Sequence, residues 1–291
     1  MNKLYLIVTL IILSTPLLAE QTIELSQTIE LSQGYRHDSL TVESGQKKGN
    51  SLKIHFKDVD VYTNRLRFTA AKNDLFLQAM AGYGVVCDGK AKAQFRSASS
   101  FYQENFDQTN HLNGDFTADF ALIAGKNYHL THCTLTPTIG YSVYIQNYHS
   151  DHSHRHYSHA TKPIKYNTEE RYKAIWYSPQ VGLQCAKSFT QNVEGLFSCT
   201  FLFPLTCQGT TQFKRRNQGH FEVTEQNSAH KSFGSIATLG LNWNITKNWS
   251  IKPEVEMMKF YSHTSSSSRA LSFRKANRSA YEARLTVGYA F

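Results

Sequence analysis

The chain has 291 residues, 41% hydrophobic and 18% charged, with 31 Lys and Arg against 22 Asp and Glu and a formal net charge of +9. The length suits one large domain or two ordinary ones, and no Pro/Gly/Ser-rich linker or shift of composition divides it, so a single domain is expected. Beyond the N-terminus no apolar run is long enough for a spanning helix, which excludes a helical membrane protein and leaves strands as the route into a bilayer.

At the N-terminus Lys3 precedes the apolar run Leu4 to Leu13, and Ser14-Thr15-Pro16-Leu17-Leu18-Ala19 follows. This is the layout of a cleaved secretory signal peptide over residues 1–19, apart from Leu17 where a small residue is usual. Residues 20–291 then form the mature domain. Losing Lys3 lowers the net charge from +9 to +8. A basic exported chain suits acidic lipid or lipopolysaccharide as a partner, and nucleic acid is not expected.

Next comes QTIELSQTIELSQ, residues 21–33, an exact duplication of six residues. An even repeat preserves a period of two, so it lengthens a strand without turning its faces over, or else adds a periplasmic extension. From here onward alternation dominates. Leu75, Leu77, Ala79, Ala81, Tyr83 and Val85 form one apolar row, and Phe116, Ala118, Phe120 and Leu122 another. Leu135, Pro137, Ile139, Tyr141, Val143 and Ile145 oppose Thr134, Thr136, Thr138, Gly140 and Ser142. Phe233 to Trp243 and Tyr281 to Phe291 repeat the pattern. One apolar and one polar face mark a strand between two different environments.

Ten strands are predicted, at 22–38, 51–71, 75–88, 112–125, 131–148, 169–187, 193–207, 229–244, 249–262 and 279–291. Short turns alternate with long polar loops at 39–50, 89–111, 149–168, 208–228 and 263–278. The fold class that follows is all-β, a ten-stranded antiparallel transmembrane barrel with short periplasmic turns and long extracellular loops. Several strands exceed the roughly 5 to 6 residues usual in a soluble sandwich, the competing fold. Aromatics near strand ends, among them Tyr83, Tyr141, Tyr148, Trp176, Tyr177, Trp243, Trp249, Phe260 and Tyr261, suit the membrane interface. Tyr289 and the terminal Phe291 resemble the signal read by barrel-assembly machinery.

The opposite parity carries Arg65, Arg67, Asp115, Asp119, Lys252, Glu254, Glu256, Glu282 and Arg284, which this registration points into the lumen as an ion-pair network. A transport path is the sharper alternative, although ten strands make a barrel that side chains can largely fill. The tract HSDHSHRHYSH, His149 to His159, falls in the third long loop. It reads as solvated histidines and not as a metal site, since ligation needs several rings to converge. Lys214, Arg215 and Arg216 form a basic cluster in the fourth loop, suited to lipopolysaccharide phosphates or host polyanions, or simply to solvent. Cys87, Cys133, Cys185, Cys199 and Cys207 are odd in number and contain no CxxC, so zinc-finger and thioredoxin readings fail. Up to two disulfides remain open, with no connectivity readable.

The segments SLKIHFKDVDVYTNRLRF (51–68), LTPTIGYSVYIQNY (135–148), RYKAIWYSPQVGLQC (171–185) and ATLGLNWNITKNWSIKPEVEM (237–257) resemble the omptin family of outer-membrane proteases. GYRHDSL (34–40) and YKAIWYSPQVGL (172–183) look more like outer-membrane proteins of chlamydiae and chlamydia-related bacteria. The omptin resemblance implies a water activated by an Asp pair and an Asp-His pair. Here the first position reads Cys87-Asp88-Gly89-Lys90 and the second lacks an Asp two residues before His220, leaving Asp88 and His220 as the candidates. The pattern is broken at both sites. The expectation is therefore a structural or surface-interaction barrel that is not an enzyme and needs no cofactor or metal; a narrow channel ranks second and a divergent protease third.

Overall fold

A computed structural model describes residues 25–45, 51–96, 106–112, 115–150, 155–157, 168–215, 219–226, 231–263 and 272–291. The signal-peptide segment, Arg216, and His152, His154 and His159 of the histidine tract lie outside the described residues.

The β segments are β1 (Leu25–Gly45), β2 (Ser51–Lys72), β3 (Leu75–Arg96), β4 (Phe106–His111), β5 (Phe116–Lys126), β6 (Tyr128–His129), β7 (Thr134–Ser150), β8 (Arg155–Tyr157) and β9 (Thr168–Ser188). They continue with β10 (Val193–Leu202), β11 (Thr206–Arg215), β12 (Gly219–Gln226), β13 (Phe233–Asn244), β14 (Trp249–His263) and β15 (Ser272–Ala290). All belong to one antiparallel sheet. Three walls are built of two pieces. β4 and β5 both pair with β3, β10 and β11 both pair with β9, and β12 and β13 follow them on the next wall. The result is ten walls, closed where β1 pairs with β15 and β7 with β9. Pro204, with no N–H to give a ladder, lies between β10 and β11.

Strands run further than the alternation alone marks. β1 reaches Gly45, β3 reaches Arg96, β11 and β12 occupy much of 208–228, and β15 begins at Ser272. On β1 and β2 the reason is a reversal of polarity along the wall. On β2 the lower outward row is Phe68, Leu66 and Tyr62 over inward Arg67, Arg65 and Thr63; above it the outward row is Asp60, Lys57, His55 and Lys53 over inward Val61, Val59, Phe56 and Ile54. A bulge at Asp58, whose φ is 52°, lets the strand take this step. β1 does the same, passing from inward Glu30, Ser32, Arg36 and Asp38 to Leu40 and Val42.

The lower half therefore wears its apolar face outward, as lipid requires, and the upper half wears it inward, as water requires. The outward row of β3 from Leu75 to Val85 spans about 33 Å of strand at ~3.3 Å per residue, or about 25 Å of depth at a tilt of ~40°. That matches a hydrocarbon band. Tyr35, Tyr62, Tyr83 and Tyr281 mark its upper edge, and Trp243, Trp249, Tyr289 and Phe291 its lower. Three of the aromatics expected at the interface are elsewhere: Tyr148, Trp176 and Phe260 point inward and are buried, because their walls have already passed into the upper half.

Candidate functional site

The barrel interior collects the functional side chains, and β-strand parity explains which ones. Every second residue of β1, β2, β5, β14 and β15 points inward. Arg65 on β2 stands at the centre. Its Nη2 donates to Glu282 Oε2 at 2.9 Å, and both Nη1 and Nη2 donate to Glu256 Oε1 at 3.2 Å. Its Nε lies 3.0 Å from Asp119 Oδ2, an ion pair whose angle is off the hydrogen-bond axis. Arg284 donates from Nε to Glu254 at 2.8 Å and from Nη1 to Glu256 at 2.8 Å. Arg67 donates to Glu30 at 2.8 Å, and Lys252 grips the other oxygen of Glu30.

The structure thus brings Arg65, Arg67, Asp119, Lys252, Glu254, Glu256, Glu282 and Arg284 into one lattice. Asp115 sits higher, where it accepts the His149 backbone N–H. Four members were not singled out from the alternation: Glu30, Arg36, Asp38 and Arg278. Arg36 Nε lies 3.2 Å from Asp38 Oδ2 and Arg36 Nη2 donates to Thr117 at 2.7 Å; Arg278 lies 3.2 Å from the same Asp38 oxygen. Six cations, Arg36, Arg65, Arg67, Lys252, Arg278 and Arg284, face Glu30, Asp38, Asp119, Glu254, Glu256 and Glu282, an equal number of carboxylates. Balanced signs make burial tolerable, since an unmatched interior charge would be far costlier than a matched one.

Above the lattice the interior is apolar. The Tyr148 hydroxyl donates to Asp38 at 3.0 Å, accepts from Gln146 at 2.9 Å, and so joins the two layers; Trp176 Nε1 donates to Gln146 at 2.9 Å. Phe56, Tyr148 and Tyr172 pack as tilted rings with centroids 5.4 to 6.5 Å apart, and Trp176 packs on Phe260 in the same way at 5.8 Å. Leu40, Ile54, Leu202, Leu205 and Met258 fill the space around them. The polar faces of the strands were expected to point into the lumen; in the upper half the inward row is instead a hydrophobic core, because walls that leave the membrane pack their inward side chains together and exclude water there. Below the lattice lies a cavity of about 530 Å³ lined by Thr28, Gln78, Asn127, Thr136, Gln184 and Glu194 together with the apolar Phe76, Met80, Ile123 and Leu196.

The remaining candidates are dispersed. Asp88 lies on the outer surface at the β3 bulge and caps the Gly89 N–H at 2.7 Å. His220 is on β12, Lys214 and Arg215 on β11, and His156 on β8, with side chains outside the described set. Among the described residues no three His, Cys, Asp or Glu converge as a metal site. Tyr289 and Phe291 pack edge to face at 4.9 Å, and Trp249 meets Tyr289 at 4.8 Å. The Phe291 N–H donates to the Gln27 carbonyl at 3.0 Å, fastening the C-terminus to the first strand.

The architecture has known counterparts. The outer membrane protease OmpT of Escherichia coli superposes with a TM-score of 0.67 over 94% of this chain and 99% of its own, at 10% identity. At that identity the likeness is one of fold. The translocator domain of the autotransporter NalP from Neisseria meningitidis aligns at a TM-score of 0.39 and 13% identity, covering 99% of this chain and 95% of its own. The P. putida toluene transporter TodX aligns at 0.36 and 9%, covering 91% and 89%. No curated protein matches in sequence. The model of the Pom family, Protochlamydia outer membrane protein, matches residues 30–291, which take in every barrel wall. With its lipid-facing band and closed sheet, the chain belongs to the Protochlamydia outer membrane protein family and is a β-barrel of the bacterial outer membrane.

Proposed function

We propose that the protein is a sealed structural barrel whose upper half presents a surface for interaction, and that it is neither an enzyme nor an open pore. The observation that carries this reading is the doubly filled interior. A charge lattice crosses the barrel at membrane depth, and a core centred on Trp176, Tyr148 and Tyr172 lies above it. A solute would have to break several buried ion pairs and then displace close-packed rings. A peptide would find apolar side chains where an omptin-like groove requires acids, and Asp88 faces away from the interior.

The surface half of the reading is supported by the outer face of β2 and β3 above the band. Lys57 is directly opposite Lys90 and His55 opposite Lys92, while Lys53 nearby pairs with Glu43 at 3.3 Å. The two lysines Lys57 and Lys90 facing across the ladder are unfavourable to one another, so this face suits an anionic partner such as lipopolysaccharide phosphate or a host polyanion. Export by a signal peptide cleaved after Ala19, and assembly through the Phe291 terminus, complete the proposal.

The test is single-channel recording of refolded protein in planar bilayers, run beside turnover of dibasic fluorogenic peptides. Silence in the bilayer and no turnover are expected. Steady conductance would establish a channel, and turnover abolished by Asp88→Ala would establish a protease.

A further inference from the structure

We infer that Cys133 and Cys185 form an intramolecular disulfide at the periplasmic rim of the barrel. The ladder between β7 and β9 places Leu135 opposite Cys185 and Thr134 opposite Ala186. Cys133 continues the parity of Leu135, so it is the diagonal same-face neighbour of Cys185. Their side chains are within hydrogen-bonding reach of one another. Both are partly exposed thiols. Cys133 also lies just outside the ladder, in the turn where its carbonyl accepts the Leu130 N–H at 2.9 Å. A strand-end residue has the slack to bring its Cβ to the ~3.8 Å that a disulfide requires.

The other cysteines are less suitable. Cys199 is also a diagonal neighbour of Cys185, through the pairing of Phe197 with Cys185, but β10 is held in ladders on both sides, with Ala237 opposite Cys199. Cys87 is on the outer face midway along β3, far above the rim, and Cys207 points inward opposite Trp176.

The rim occupied by the pair is the end with short turns, which in an outer-membrane barrel faces the oxidising periplasm. The inference rests on that membrane placement and not on the sealed-barrel reading. The reaction is two thiol–disulfide exchanges with a disulfide-bearing oxidant of that compartment. One cysteine thiolate attacks the oxidant disulfide, forms a mixed disulfide and releases one oxidant thiolate. The second cysteine thiolate then attacks the first cysteine's sulfur, forms the Cys133–Cys185 bond and releases the other oxidant thiolate. The two cysteines together lose two electrons and two protons, and the oxidant becomes a dithiol. The bond ties two walls at the lower end of the ladder that pairs them from Thr134 to Ser150, beside the cavity that Thr134, Cys185 and Ala186 help to line.

The full chain isolated from outer membranes is treated with N-ethylmaleimide, digested without reductant and analysed by mass spectrometry. A cross-linked peptide joining Cys133 to Cys185, lost on reduction, is expected. Cys133→Ser should release Cys185 for alkylation while heat-modifiable migration shows that the barrel still forms. Alkylation of both cysteines in the native protein, or a Cys185–Cys199 link, would overturn the inference. Should Cys133→Ser fail to fold, the alkylation pattern of the native chain decides alone.

Discussion

The Arg65 guanidinium donates to Glu282 at 2.9 Å although 217 residues separate them. β2 and β15 are not neighbours in the sheet; β1 lies between them, so the pair reaches across a wall through the barrel interior. Arg65 also serves Glu256 and Asp119. Removing it leaves three buried carboxylates short of a counter-charge. Arg65→Ala is expected to destabilise the barrel by about 3–5 kcal/mol, the cost of breaking a buried pair from one side. Denaturant unfolding in detergent micelles measures this, and a loss under ~1 kcal/mol would mean that water compensates the lattice.

Trp176 gives the complementary case. It is fully buried in the apolar layer, with its indole N–H donating to Gln146 at 2.9 Å. Trp176→Ala should cost about 3–5 kcal/mol through the cavity it leaves. It should not open the barrel, because the charge lattice beneath is untouched. Unfolding curves paired with bilayer recordings separate the two effects.

Leu239 projects from β13 into the middle of the outward band and is 65% exposed. In a bilayer that exposure is to lipid. Leu239→Arg is expected to cost about 2–4 kcal/mol, as arginine does near the midplane, whereas Lys53→Gln above the band, which removes only an exposed pair with Glu43, should cost about 1 kcal/mol or less. Reversible unfolding from lipid vesicles distinguishes them; equal effects would place the membrane boundary elsewhere.

His55 lies above the band, where partial burial and then Lys57 and Lys53 hold its imidazole below the ordinary histidine range. The unfolded chain therefore takes up this proton more readily than the folded one as pH falls below about 6.5, so stability falls with it. His55→Gln should flatten the stability profile between pH 7 and the lowered folded value. Thermal unfolding across that interval checks the sign; a variant whose profile matches the parent's would remove His55 from the account.

Much of this molecule was legible because strand parity is local. Whether residue 65 shares a face with residue 67 depends only on the chain between them, so the inward set from Arg65 to Arg284 emerged without coordinates. Glu30 and Arg36 were missed because Gln33 and His37 interrupt the outward apolar row of β1. Asp38 sat at a predicted strand end, and Arg278 fell within a stretch read as loop. The polarity reversal that misled those boundaries also misplaced Tyr148, Trp176 and Phe260, since an apolar row that changes sides resembles an ending strand.

Alternation and the spacing of turns determined, by themselves, an all-β chain that crosses a membrane, together with the faces its charges occupy. Only closure of the barrel decided which charges meet, because Asp119, Glu256 and Glu282 reach Arg65 from three other walls at a stagger that no single strand encodes. Closure also decided that the upper interior is solid. Inward residues of opposite walls become neighbours only when the sheet is curved round on itself, and only then does a row of leucines and aromatics become a core.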